Sequence, residues 1–167
     1  MSIGALAAAA FGTTVAPSAR ADVRCTGQQA PNPAKPDFYQ RQYSAAVSVP
    51  LRNHFAAYQS AADSDDPQQT GRTANILYGE IETDLMMFGT QTWFGCYDPG
   101  VLAILQQSAD TFAATLDDIS GAAANFSGKT PEDVPALVAQ AQPQGKAYID
   151  ALNAYAGQFG GEQIAEP

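Results

Sequence analysis

The chain has 167 residues, with eight Lys and Arg against 17 Asp and Glu, and a formal net charge of −9 at neutral pH. A surface this acidic is repelled by phosphate backbones and by anionic lipid headgroups, and the scattered basic residues form no patch, which argues against nucleic acid as a partner. No apolar run reaches the ~20 residues of a membrane span, so no transmembrane anchor is expected.

Residues 3 to 16, IGALAAAAFGTTVA, are apolar and small and run into PSARAD, where Ala19 and Ala21 occupy the small-residue positions of an A-x-A cleavage site. That order predicts a secretory signal peptide over residues 1–21, although nothing charged precedes Arg20, so a basic start is expected further upstream. The ARAD cleavage point and the Ala-rich composition resemble the leaders of small exported proteins of high-GC actinobacteria of the mycobacterial type. The resemblance covers the leader alone and implies a compartment, secreted or in the cell envelope. Removing residues 1–21 leaves seven basic and 17 acidic side chains, a net charge near −10, in a length that suits one domain.

A Pro-rich leader, residues 22–36, contains Cys25, and the only other cysteine is Cys96. Thiols outside the cytoplasm are oxidised, so a disulfide between Cys25 and Cys96 is expected, a structural staple rather than a redox or metal site, since no C-x-x-C is present. A helical domain is expected over 37–160. Asp37 is expected to cap a helix carrying Phe38, Tyr39, Tyr43, Ala46 and Val47, with Leu51, Phe55 and Tyr58 continuing its apolar face beyond a kink or break at Pro50. The stretch DSDDPQQTGR reads as an exposed link. From Thr73 to Gly89 a second helix places Leu77, Ile81, Leu85 and Phe88 on one face, with Glu80 and Glu82 away from it.

The turn TQTWFGCY follows, with Trp93, Phe94 and Tyr97 as a candidate contact surface for a protein partner or as a lid on the core. Its WFG resembles the W-x-G turn of helical-hairpin proteins exported by type VII systems, but the tyrosine and acid that should follow the second helix are missing there. Asp98 and Pro99 start a third helix whose seam is Leu102, Leu105, Ala109, Phe112, Leu116, Ile119, Ala123 and Phe126, ended by Gly128 in a left-handed cap. Thr130, Pro131 and two acids start a fourth, with seam Val134, Val138, Ala141, Gly145, Tyr148, Leu152, Tyr155 and Phe159, interrupted at Pro143 by a kink or break. Residues 161–167 are expected to be a disordered tail. The fold class is all-α, an up-and-down bundle of about four partly Pro-kinked helices stapled by one disulfide, with no sheet.

Reactive constellations are scarce. His54 is the only histidine, which rules out a di-metal carboxylate bundle. A Ser-His-acid triad would have to use that one residue, and no serine sits on a nucleophile elbow. Asp110, Asp117 and Asp118, with Glu80, Glu82 and Asp84, could line a groove as paired carboxylates, but acids at such spacing mostly form a solvated face. The chain therefore reads as non-catalytic and without a cofactor: an exported interaction or accessory protein of the envelope or extracellular medium. The alternative is a carrier of a small apolar ligand, a lipid or less readily a haem, between the helices. The small seam residues Ala109, Ala123, Ala141 and Gly145 either bring the helices close or leave it room, with Tyr148, Tyr155, Met87 and His54 around it; His54 with Met86 or Met87 would supply axial ligands to a haem.

Overall fold

The computed structural model describes residues 24–25, 36–90, 96–126, 128–158 and 160–165. Among these, two-residue strands β1 (Arg24–Cys25) and β2 (Cys96–Tyr97) pair antiparallel, and all other regular structure is helical. The helices are α1 (Pro36–Tyr43), α2 (Val49–Ala62), α3 (Pro67–Thr90), α4 (Pro99–Ala123) and α5 (Val134–Gly157). None is long and apolar enough to cross a membrane. α2 packs on α3, α3 on α4 and α4 on α5, in chain order.

The first long helix is unbroken. A π-helical turn, Ser44–Ser48, joins α1 to α2. The expected break at Pro50 is thus replaced by a change of helical register: Val49 N–H bonds to Ser44 O, five residues back, at the point where Pro50 has no N–H to offer. The helix begins at Pro36, so Asp37 lies inside its first turn rather than capping it. α3 begins six residues earlier than the apolar pattern indicates. Asp66 Oδ1 accepts from the backbone N–H groups of Gln68 (3.0 Å) and Gln69 (3.1 Å), and Pro67 fills the first helical position, so most of the expected link, from Pro67 on, is helix.

α4 starts as its sequence requires, with Asp98 extended and its carboxylate accepting from Gly100 N–H at 2.7 Å. It ends earlier than expected. Asn125, at φ 56°, is the left-handed residue, and the chain closes on itself through Phe126 N–H to Gly121 O (2.8 Å) and Asn125 N–H to Ala122 O (2.9 Å). Gly128 is also left-handed but lies beyond this cap, and Phe126, expected in the seam, is 73% exposed. A short 3-10 turn, Pro131–Asp133, leads into α5, with the Asp133 carboxylate accepting from Thr130 N–H at 2.8 Å. α5 runs through Pro143 without a break.

Most of the expected seam residues are buried; Leu85 and Val138 are half-buried, and Phe159 and the side chains of Phe38 and Tyr39 lie outside the described residues. Leu77, Ile81, Leu105, Leu116, Ile119, Tyr148 and Leu152 are fully buried, each large side chain contributing about 1.5 to 3 kcal/mol over its exposed state. Gly71 permits the tightest approach: a Cβ there would overlap Ala123 Cβ on α4. Residues 160–165 are docked rather than disordered. Ile164 is buried, its backbone N–H and C=O both bond the Asn153 side chain at 2.8 Å, and the Glu162 carboxylate accepts from Ser44 (2.6 Å), Ser48 (3.0 Å) and Arg52 Nη1 (2.9 Å).

Candidate functional site

The chain-order packing leaves one seam loosely closed, between the first and the last long helix. A half-open groove of about 600 Å³ lies there, walled by the C-terminal half of α2 and the N-terminal half of α5. Its floor is aromatic, the rings of Phe55 and Phe112 stacking at 5.4 Å and 20°. Tyr58 and Ala62 form the α2 wall, and Val138, Ala141 and Gly145 the α5 wall. Gly145 is needed for the floor: a Cβ there would come within 3.1 Å of Phe112 Cζ and 3.3 Å of Phe55 Cε1. The rim is polar, with Gln59 and Asp63 on one side and Gln142 and Lys146 on the other. Lys146 Nζ lies 3.4 Å from Asp150.

Of the four residues expected around a ligand, none lines this groove. Tyr148 is buried one turn beyond Gly145, its ring 6.2 Å from that of Phe112, and Tyr155 is buried against Phe88 at 4.9 Å. Met87 is half-buried against the core. His54 is a third exposed, and its Nδ1 lies 3.5 Å from Glu80 Oε2, an ion-pair contact without hydrogen-bond geometry. Glu80 therefore faces α2 rather than lying away from its helix's packed face. Met86 is 64% exposed, and among the described residues no His, Met or Cys lines the groove, so the donor set there does not suit a haem. Of the four small seam residues, Ala141 and Gly145 line it, whereas Ala109 and Ala123 are buried in the core away from it.

Trp93 and Phe94 lie outside the described residues, and Tyr97 is described through its backbone alone. The β1–β2 register sets Cys25 opposite Cys96, and the side chains of both lie outside the described residues. This ladder is the sheet the sequence did not anticipate; two residues per strand are too few to show a period of two.

Asp84, on α3, is strongly perturbed. Its side chain is fully buried, and neither carboxylate oxygen has a hydrogen-bond partner among the described residues. Burial, and then Glu80 one turn away, pushes its pKa up to about 8, so the carboxyl is mostly protonated at neutral pH. Tyr148, on α5, and Tyr43, on α1, stand in its field, and burial raises both phenols well above their ordinary value. Asp110 and Asp117 are exposed, and Asp118 is half-buried and paired with Lys129. Among the described residues no three His, Cys, Asp or Glu gather as a metal site would require. Compared with known proteins, the chain matches no family model, no curated protein and no solved structure.

Proposed function

We propose that this chain is an exported, non-catalytic helical bundle that carries a small apolar guest in the groove between α2, α4 and α5. One observation carries the reading: a groove of about 600 Å³, within the range of small-molecule sites, has an aromatic floor and a polar rim. Well-packed bundles leave few such voids. The rival reading, a protein partner held at Trp93, Phe94 and Tyr97, draws no support from the described residues. Export is part of the proposal, on the leader in residues 1–21. So is a Cys25–Cys96 disulfide, supported by the opposed backbone register: directly paired antiparallel residues have Cα atoms about 4.5 to 5.5 Å apart, a span a disulfide can bridge.

Native mass spectrometry of the protein recovered from its host's envelope and culture fluid tests all three parts. The proposal expects a chain beginning at Asp22, lighter by two hydrogens than its reduced form, with added mass that departs on denaturation. A bare chain that also fails to take up Nile red in its recombinant form would sink the carrier reading. A Val138→Trp variant, which fills the groove from its half-buried wall, should fold and lose that uptake.

A further inference from the structure

The groove is the open half of a seam whose other half the chain fills with its own tail. Beyond α5 the chain doubles back along that helix: Gly161 N–H bonds to Ala156 O at 2.9 Å, and Ile164 to the Asn153 side chain. On its other side the tail is held by the first long helix, through Glu162 on Ser44, Ser48 and Arg52. Residues 161–165 are neither helix nor strand, so this seam accommodates irregular backbone. Asn153 shows how: its carboxamide accepts from Ile164 N–H and donates to Ile164 O, both at 2.8 Å, while the Ile164 side chain is buried.

The groove continues this seam on the same helix faces. Gln59 stands about three turns along α2 from Ser48, and Gln142 about three turns along α5 from Asn153, on opposite rims of the Phe55–Phe112 floor. Each carboxamide offers two donors and an acceptor, the complement of a backbone amide. A hydrocarbon guest would leave both unused. The α5 wall from Val138 to Lys146 is about 12 Å long, which fits about four extended residues. Building on the carrier reading, we infer that the guest is a peptide segment of a partner protein, laid extended along the seam where the tail leaves off. A large apolar side chain of that segment rests on the Phe55–Phe112 floor, and Gln59 and Gln142 bond its backbone as Asn153 bonds Ile164.

The test compares the peptide acetyl-alanyl-(2-naphthyl)alanyl-alaninamide with 2-ethylnaphthalene, which bears the same ring without a backbone. Both are titrated, by naphthalene fluorescence, into the wild type, Gln59→Ala and Gln142→Ala. Each variant should weaken the peptide about fivefold, the worth of one neutral hydrogen bond, and leave the hydrocarbon within about twofold. Equal loss of both guests, or peptide binding unchanged in both variants, would overturn the inference while leaving the groove as a site. So would a wild type that binds the hydrocarbon and not the peptide. In sedimentation velocity the wild type should be a monomer; a dimer that the hydrocarbon disperses would put a second copy in the groove and overturn the inference. Failure of both guests to bind the wild type would remove the carrier reading, and this inference with it.

Discussion

Replacing Asp84 by Asn changes one buried group and should change the pH dependence of stability more than stability itself. The protonated carboxyl and the amide have nearly the same shape, and neither carries charge in the sealed space between α1, α3 and α5. Asp84 has an ordinary value of 3.8 and is raised to about 8 in the folded chain. Its stabilising proton is thus fully held below the unfolded value and lost as pH rises through the folded one. Between those limits the folded chain binds one more proton than the unfolded chain, and stability falls by about 1.4 kcal/mol per pH unit. From pH 4 to pH 7 the wild type should lose about 4 kcal/mol to this group alone, levelling above pH about 8, a large share of the roughly 5 to 15 kcal/mol of a domain. Urea denaturation of both proteins at intervals from pH 4 to 9 isolates the effect, because the other acids and His54 are common to both. The difference curve should favour Asn increasingly up to pH about 8 and then flatten. Parallel curves would refute the reasoning and mean that water or a base reaches the carboxylate.

Gly71→Ala forces a Cβ into Ala123 and should destabilise by about 1 to 3 kcal/mol in thermal melts, whereas Gly79→Ala, with open space around it, should stabilise by up to about 1 kcal/mol. Asp66→Ala removes the acceptor for two amides at the start of α3 and should cost about 1 kcal/mol, with faster amide exchange at Gln68 and Gln69. Glu162→Gln should loosen residues 160–165 from the π-helical turn, read as faster exchange at the Asn153-bonded amide of Ile164. The hydroxyl of Ser44 and then that of Ser48 hold the Glu162 carboxyl below its usual range. That contribution is therefore present above the ordinary Glu value, and in the wild type it should be lost as pH falls below it.

Much of this fold is legible because it is local. Asp98 followed by Pro99 states a helix start in two residues, and the alternating steps from Leu102 to Ala123 state a buried stripe. The same rule applied one step too far placed Phe126 inside, where the chain had already turned at Asn125. Local rules also predicted breaks at Pro50 and Pro143. A π-helical turn absorbed the first, and α5 stayed continuous through the second with Pro143 on its exposed side, where its ring displaces no core neighbour. The start of α3 was signalled by Asp66 and Pro67 but hidden by the polarity of the first two turns. Asp84 could have been found by register, since Leu77, Ile81, position 84 and Phe88 form one stripe. Its charge argued for the opposite face, and burial won by keeping it protonated. The groove was beyond local reading, because it depends on how closely α2 and α5 approach, and they are the bundle helices furthest apart in sequence.

The carrier reading is tested most directly by mapping a guest onto the backbone. In a titration of the isotope-labelled protein with 2-acetylnaphthalene, followed by two-dimensional amide NMR, shifts should concentrate at Phe55, Tyr58, Ala62, Phe112, Val138, Ala141 and Gly145. Shifts confined to residues 91–97, or none at saturating guest, would contradict it.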